Sequence, residues 1–536
     1  MSEEIKSLLD RMLDRENELN PVGATFKGIH TYDEDWDDPS LEGLEAYEDY
    51  VREFTRVIDK EHADATGEDI ADLTLAKSYL ANSRIYIEQI RQMFLNPMNV
   101  PGNVINAIFI MVVRDYAPFE ERMDYILARL GKVPAYCRDA MHVYQKPVDR
   151  YVAMAEELVT FGGPFLAQMV PALAEKGSQK HAAYIKDAGM KAAAALEAFI
   201  EHIKGLPTTP DFATGTDAFN SLLHDYHLLD YDCDSMLTFG MAQFDTVQKE
   251  MAELAAKIKP GATPAELIAK AKQDHPLPGE LLDFYRGWMA KSRQFVLDHN
   301  ICGMPEGEEL EIIPTPEYER PTIPYAAYMS PALYEPRQKG FFYVTPVEPS
   351  MPPEEQQQRL EGHNRIKVPI TALHEGYPGH HLQLCWANKI PSRIRREMGH
   401  NTLIEGWALY CEEMMREQGF YSDDLMVLGQ KNDTLWRAAR VIIDVSLHTG
   451  KMSFDQAVEF LKQKVGLEQV NAESEVKRYI YTPTQPMSYL VGKAAIMKLR
   501  DDYRAKYPQA SLRNFHDKVL SIGSLPLSIV RQEVLG

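Results

Sequence analysis

Apolar residues recur at intervals of three and four positions through most of residues 1–300, which is the spacing that buries one face of an α-helix. Breaks that contain proline and glycine, such as Asn96-Pro97 and Gly162-Gly163-Pro164, separate these segments. The same periodicity returns after residue 350 and continues to the C-terminus. The pattern therefore predicts a chain that is mainly α-helical.

Between residues 301 and 348 the helical periodicity stops, and prolines alternate with β-branched and aromatic residues. ELEIIP and GFFYVTP have the clearest strand character, and the prolines at their ends favour edge positions in a small sheet. We expect an N-terminal helical region at 1–300 that forms the walls of a cleft. A catalytic region at 301–536 would begin with the sheet, at about 301–348, and continue with metal-binding helices.

The charge and composition of the chain restrict its partners and its location. With 57 basic and 79 acidic residues the net charge is -22, which argues against binding to nucleic acid or to an anionic membrane. The chain has no apolar run of about 18 residues and no apolar core of a secretory signal near its first residues. Its five cysteines are scattered and lack CxxC spacing, as expected of free thiols in a reducing compartment. We predict a cytoplasmic protein, and its assembly into a homodimer stays open.

The residues suited to catalysis are concentrated in HEGYPGHH, at positions 374–381. A His-Glu pair followed by another His is typical of zinc metallopeptidases, because two imidazoles bind the metal while the adjacent carboxylate acts on a water molecule. The position four residues after His374, where the HExxH form has its second His, is occupied by Pro378. Pro378 cannot donate a hydrogen bond to the helix, so we expect the helix to bulge or break here.

Two histidines compete to be the second ligand. In an unbroken helix His380 would lie about 240° around the axis from His374, and His381 would lie about 10.5 Å along it. A bulge of two residues would bring His380 into the position of the second ligand, and a bulge of three would bring His381 there. We favour His380 and keep His381 as the alternative.

The third ligand is predicted in a helix downstream. Glu405 lies in the apolar segment LIEGWAL, and a carboxylate in such surroundings needs a partner. Catalytic zinc often takes two histidines and one glutamate, so we predict a zinc site of this kind with Glu405 as its carboxylate. Glu412, two turns later on the same helix face, and Glu413 compete with it, although a solvated helix face explains both at least equally well.

The chain resembles a large bacterial family known only as a domain of unknown function. The resemblance rests on four segments in this order: HEGYPGHH, EGWALYCEE, LWRAARVIIDVSLHTG and RYIYTPTQPMSYLVGKAAIMKLR. The N-terminal segment GIHTYDEDWDDPSLEGL also resembles the opening of the family, so the resemblance extends over essentially the whole chain. The fold of that family is held to be similar to the thermostable carboxypeptidase Taq family of zinc carboxypeptidases.

The resemblance implies a mainly α, gluzincin-like helical metallopeptidase with a small β-sheet next to the active site. It implies that His374, His380 and Glu405 bind zinc and that Glu375 is the general base. Taq-type enzymes carry HExxH, whereas this chain has two more residues between its histidines. Alignment of Gly379-His380 with the Gly-His pair of those enzymes again favours His380.

Two further segments gain weight from the resemblance. Arg440, Asp444 and His448 stand at successive positions four residues apart, where an ordinary ladder of ion pairs and a shell that orients a metal ligand or substrate are equally open. The second segment is a proline-rich turn with many hydrogen-bond donors. We predict that Arg478, Gln485 and Tyr481 bind the substrate. We also predict that Tyr479, Tyr489 or Tyr481 stabilises an oxyanion. A turn of packed tyrosines without a chemical role explains any one of them equally well.

Our preferred hypothesis is a zinc-dependent hydrolase that cleaves amide bonds of short peptides. The resemblance implies a carboxypeptidase-like reaction with recognition of a free C-terminal carboxylate, for which Arg478 is suited. We expect GFFYVTP to be the edge strand along which an extended peptide lies. One rival is a hydrolase of a non-peptide amide or acylated amino acid, and another is a catalytically degenerate metal-binding protein. Glu375 argues against the second, because a pure binding site has no use for a base.

Overall fold

The computed structural model describes residues 2–177, 179–316, 320, 323, 325–335 and 337–536. The chain forms two compact units: the first contains the residues up to Phe212 together with Ala332–Glu335, and the second contains the rest. The mainly helical architecture predicted from the periodicity is confirmed, and so is the small sheet.

The first unit is built of helices. They are α1 (Glu3–Leu19), α2 (Pro21–Lys27), α3 (Leu41–Asp64), α4 (Glu68–Ile85), α5 (Gln92–Leu95), α6 (Asn99–Val113), α7 (Phe119–Met141), α8 (Asp149–Pro164), α9 (Val170–Gly177) and α10 (Gln179–Lys204). Ser2 and Ser40 cap α1 and α3, because each side chain accepts a hydrogen bond from a backbone N–H of the first turn. Apolar residues at helical spacing, such as Met12 and Ile58, are fully buried and form the core of this unit.

The second unit contains the remaining helices. They are α11 (Thr216–Ser221), α12 (Cys233–Ile258), α13 (Pro264–Lys272), α14 (Leu281–Asp298), α15 (Pro353–Gly362), α16 (Lys367–Glu375), α17 (His380–Ala387), α18 (Arg393–Glu397), α19 (Asn401–Glu417), α20 (Asp424–His448), α21 (Phe454–Phe460), α22 (Gln469–Tyr481), α23 (Gln485–Lys506), α24 (Leu512–Leu520) and α25 (Leu527–Leu535). Helices α11 to α14 precede residue 300 and belong to this unit, so the boundary between the units lies earlier than the change of pattern in the sequence. The expectation that residues 1–300 wall a cleft stays a prediction.

Helix α20 forms the core of the second unit, because almost every residue from Met426 to its end is buried. It packs against α12, α16 and α23. Helices α19 and α23 approach each other closely where two glycines meet: a Cβ on Gly406 would lie 2.5 Å from the Cα of Gly492. Since this crossing has no room for a side chain, it brings the residue before Gly406, which is Glu405, beside α23.

The sheet has three strands in the order β1-β3-β2, which are β1 (Glu309–Pro314), β2 (Ala326–Met329) and β3 (Lys339–Val344). β3 is parallel to β1 and antiparallel to β2. β1 and β3 are the two predicted strands, whereas β2 was missed because AAYM is too short to show alternation. The prediction that GFFYVTP forms an edge is wrong: β3 is the central strand, and both of its sides are already hydrogen-bonded.

Within the described residues, no helix combines the length and the apolar character needed to cross a membrane.

Candidate metal centre

The HEGYPGHH segment forms a helix, a tight turn and a second helix. Helix α16 ends at Glu375, and α17 begins at His380. In the turn between them the Tyr377–Pro378 peptide bond is cis, and the N–H of Gly379 donates to the carbonyl of Leu373 at 3.0 Å. The helix is therefore broken at the place where Pro378 predicts a bulge or break.

The turn folds back onto the end of α16. A Cβ on Gly379 would lie 1.8 Å from the carbonyl oxygen of His374, so only glycine fits this position. From α19, the indole Nε1 of Trp407 donates to the carbonyl of Pro378 at 2.8 Å. The end of α16 and the start of α17 are thus held together by contacts that the sequence spacing alone does not show.

The structure brings together His374, His380 and Glu405. Their ligand atoms all lie within 4.8 Å of one another, and Nε2 of His380 is 3.4 Å from Oε2 of Glu405. The imidazole rings of the two histidines are 4.9 Å apart and nearly perpendicular. His374 and His380 are buried, and Glu405 is mostly buried.

This arrangement fits a zinc ion. Two atoms bound at about 2.0–2.1 Å to one tetrahedral zinc stand about 3.3 Å apart, which is close to the 3.4 Å between His380 and Glu405. Two imidazole nitrogens and one carboxylate oxygen also form a donor set that zinc prefers over calcium or magnesium. That these residues bind a metal stays a prediction.

Glu412 is a member of the site that sequence reasoning underrated. Its Oε1 lies 2.8 Å from Nδ1 of His374, and its side chain is 1% exposed. A carboxylate that accepts the Nδ1 proton directs Nε2 of the histidine toward the metal position. The seven-residue spacing from Glu405 was the available signal. Glu413 is buried as well, among Arg416, Lys431 and Lys493, so the solvated helix face considered for both glutamates is wrong.

The glutamate and the histidines of the cluster favour each other's charged forms. Burial by itself would raise the pKa of Glu405, but the hydrogen bond and charge of His380, with the charge of His374, lower it to about 2. Burial would likewise lower the pKa of His380, but Glu405, with smaller effects from Glu375 and Glu412, raises it. Glu405 is therefore ionised, which is the form that binds a cation.

Glu375 is the last residue of α16, directly after His374, and it is half-buried. Its charge contributes to the raised pKa of His380 and, after the larger effect of burial, to that of Tyr328 in β2. The charge of Glu375 therefore acts on His380, one of the candidate ligands. Its catalytic role stays a prediction.

His381 lies outside the cluster. Its Nε2 is 3.1 Å from Glu308, and its Nδ1 is 3.1 Å from the hydroxyl of Tyr328. Tyr377 and Arg293 also donate to Glu308, at 2.6 and 2.8 Å. With both ring nitrogens engaged, His381 anchors the turn and the adjacent sheet, and the structure gives no support to the alternative that it replaces His380.

Two of the predicted residues at the start of α23 lie near Glu405. Tyr489 has its pKa raised, first by burial and then by the charge of Glu405. The Gln485 amide donates to the Tyr489 hydroxyl at 3.4 Å. Of the three predicted tyrosines, Tyr489 is the one for which Glu405 is among the main causes of the raised pKa.

The other predicted donors are engaged with Glu475, a residue that sequence reasoning did not single out. The hydroxyl of Tyr479 donates to Glu475 at 2.5 Å and accepts from Arg440 at 3.0 Å. Arg478 donates to Glu475 and to Gln485. Tyr481, at the end of α22, is half-buried, and burial raises its pKa. The structure does not bring Tyr479, Arg478 or Tyr481 into the metal cluster.

Arg440, Asp444 and His448 share one face of α20, yet they do not form a simple ladder of ion pairs. Asp444 accepts from the backbone N–H groups of Thr484 and Met487, both at 3.2 Å, and thereby caps α23. His448 Nε2 is 3.1 Å from the carbonyl of Tyr479. The three residues contact α22 or α23, and the charge of Arg440 is among the causes of the lowered pKa of Glu405.

The family model of bacterial proteins of unknown function, DUF885, matches residues 21–534. The chain belongs to this family. The membership confirms the resemblance to a bacterial family of unknown function, whereas the likeness to Taq-type carboxypeptidases stays untested. No protein of curated function matches the chain.

Two solved structures share the fold. One comes from Shewanella oneidensis, with a TM-score of 0.82 and 23% identity over 99% of this chain and 100% of that one. The other comes from Colwellia psychrerythraea, with a TM-score of 0.80 and 17% identity over 99% of this chain and 98% of that one. Both are described as putative lipoproteins, the first of unknown function.

These descriptions contradict the cytoplasmic location predicted from the sequence, and that prediction is wrong. It relied on the lack of a recognisable secretory signal and on the unpaired cysteines as a sign of a reducing compartment. All five, each within the described part of the chain, are free and buried. A buried thiol is shielded from oxidants and from thiols of other molecules, so unpaired buried cysteines do not identify the compartment.

Proposed function

We propose that this chain is a zinc-dependent, gluzincin-like hydrolase that cleaves amide bonds of short peptides in a carboxypeptidase-like manner. The observation that carries the proposal is the convergence of His374, His380 and Glu405 within 4.8 Å, with Glu375 beside them. A binding site alone needs the three ligands, whereas hydrolysis also needs a base next to them.

Zinc held by these three side chains would polarise the scissile carbonyl and make a water molecule acidic near neutral pH. Glu375 would take the proton from the attacking water and later deliver it to the leaving amine. The hydroxyl of Tyr489 would donate to the oxyanion that forms on the substrate carbonyl. Glu412 would keep the imidazole of His374 in one tautomer and one orientation throughout.

The proposal is tested with the purified protein and a mixed library of short peptides, whose products are identified by mass spectrometry. We expect cleavage that a chelator stops and that added zinc restores. Glu375→Gln removes the base and Glu354→Gln, on the exposed face of α15, is the matched control. Cleavage that survives both the chelator and Glu375→Gln contradicts the proposal.

A further inference from the structure

Helix α20 presents a row of charged residues beside the candidate metal centre. Asp433 binds Nζ of Lys367 on α16 at 2.6 Å, and Arg437 follows one turn later. The guanidinium groups of Arg437 and Arg440 lie 5.9 and 4.7 Å from the ring centre of Tyr489 on α23. The row therefore runs from the helix that carries His374 to the helix that packs against Glu405.

Helix packing places this row close to the candidate ligands, because α20 packs against α16, α19 and α23. Burial would raise the pKa of Asp433, but the charges of Lys367, Arg437 and His374 lower it. Arg437 lies on α20 between Asp433, which binds Lys367 of α16, and Arg440, which with Arg437 lies over the ring of Tyr489 on α23.

The hydrogen-bonding capacity of Arg437 is largely unused. A guanidinium has five N–H donors, yet among the described residues only Nη1 makes a hydrogen bond, to the carbonyl of Asp433 at 3.3 Å. The carboxylate of the same residue is 3.7 Å from Nη1, and Nε is buried without any partner in the described part of the chain. The residue is only 9% exposed.

The neighbouring arginines, unlike Arg437, use their guanidinium donors in hydrogen bonds to side chains. Arg440 donates through Nε to Tyr479 and through Nη2 to Glu475. Arg478, the residue predicted from the sequence to bind a carboxylate, donates to Glu475 and to Gln485. A buried charged donor without a hydrogen-bond partner is destabilising, so a ligand that binds the guanidinium of Arg437 makes hydrogen bonds that the protein itself does not make.

We propose that Arg437, in place of Arg478, binds a carboxylate group of the substrate. This inference rests on the proposed function for the identity of the substrate as a peptide. The planar fork of a guanidinium matches the two oxygens of a carboxylate. The rings of Trp436 and Tyr489 lie 5.1 and 5.9 Å from the Cζ of Arg437 and give it an aromatic environment. The carboxylate belongs either to the C-terminus of the peptide or to an acidic side chain.

The test measures binding without turnover, by calorimetry on zinc-loaded Glu375→Gln protein. The probes are Ala-Phe-Ala-Ala with a free C-terminus, the same peptide amidated, and amidated Ala-Phe-Ala-Glu. We expect at least one carboxylate-bearing peptide to bind about 10- to 150-fold more tightly than amidated Ala-Phe-Ala-Ala, the range of one charge-assisted hydrogen bond. The peptide that is preferred identifies the source of the carboxylate.

Arg437→Gln, added to the same protein, should remove this preference and leave the affinity for amidated Ala-Phe-Ala-Ala unchanged. Arg437→Lys keeps the charge without the fork and should retain only part of the preference. Arg531→Gln, which breaks a pair with Asp502 at the protein surface, is the matched control and should change nothing. Thermal unfolding checks that each variant is folded.

Absence of any preference for a carboxylate, or a preference that persists in folded Arg437→Gln protein, overturns the inference. Failure of the proposed function gives a different result, because it shows as an absence of zinc-dependent cleavage of the peptide library by the unmutated protein. The two outcomes are recorded in separate experiments, so one can fail while the other holds.

Discussion

Nδ1 of His374 lies 2.8 Å from Oε1 of Glu412, and both side chains are buried. Because the carboxylate accepts the Nδ1 proton, the lone pair of the imidazole is on Nε2, which is the nitrogen left to bind a metal. His380 has no such partner, since its Nδ1 is buried without a hydrogen bond to any described residue. The two candidate histidine ligands are therefore held differently, and His374 is the more rigidly oriented.

Glu412→Gln should weaken zinc binding by about 10- to 100-fold, the usual effect of losing the partner behind a metal-bound histidine. The amide keeps a hydrogen-bond acceptor but loses the charge that makes the imidazole a better ligand. Competition with a fluorescent chelator measures the affinity. Glu413→Gln, next along the helix but paired with lysines, is the control, and equal affinities in the two variants would disprove this role of Glu412.

His380→Ala and His381→Ala should have opposite consequences for metal content. The unmutated protein should hold about one zinc per chain, as measured by elemental analysis. His380→Ala should lose more zinc affinity than Glu412→Gln, for which we expect a loss of about 10- to 100-fold. His381→Ala should retain the metal. If His381→Ala loses zinc and His380→Ala keeps it, the cluster has been assigned to the wrong histidine.

Glu375→Gln and Glu405→Gln should separate the base from the ligand. The first should keep its zinc and lose about 10²- to 10⁴-fold in kcat, because an amide cannot take the proton from water. The second should lose zinc affinity, since a neutral amide binds the cation more weakly than the ionised carboxylate. The readouts are zinc content and turnover of one good peptide, and near-normal turnover of Glu375→Gln would refute the mechanism.

Gly379→Ala should disrupt the metal centre through the backbone. The added methyl would lie 1.8 Å from the carbonyl of His374, so the turn must shift and carry His380 with it. We expect at least about tenfold weaker zinc binding, or about 1.4 kcal/mol. Gly287→Ala, in α14, meets nothing within 4 Å and should be neutral or slightly stabilising. Identical zinc affinity in the two variants would show that the turn does not set the geometry.

His516 should make the protein less stable as the pH falls. It is buried between the hydroxyl of Tyr410 and the carbonyl of Ile301, both at 2.8 Å, and burial lowers its pKa to about 4. The unfolded chain, with a pKa of about 6.5, binds a proton that the folded state does not, so stability is lost as the pH falls from about 6.5 to 4. Between pH 7 and 5 this amounts to about 2 kcal/mol. His516→Gln should therefore show a smaller fall in Tm over that interval than the unmutated protein, and an equal fall contradicts the assignment.

The features that the sequence determined by itself are those that depend on neighbours within one or two helical turns. The three-to-four periodicity is enough to predict a mainly helical chain, because one face of each helix must be buried. Pro378 between two glycines is enough to predict the break after Glu375, because proline cannot continue a helix. The apolar residues around Glu405 are enough to predict a carboxylate that needs a partner.

The hydrogen-bond partners of residues that are distant in the chain could be known only from the tertiary structure. Glu412 contacts His374 because α19 packs against α16. Arg478 and Tyr479 both donate hydrogen bonds to Glu475. β3 became central because the short β2 pairs with its second side. A buried donor or acceptor takes whichever partner the packing brings within about 3 Å, and that choice depends on long-range contacts that periodicity and spacing do not encode.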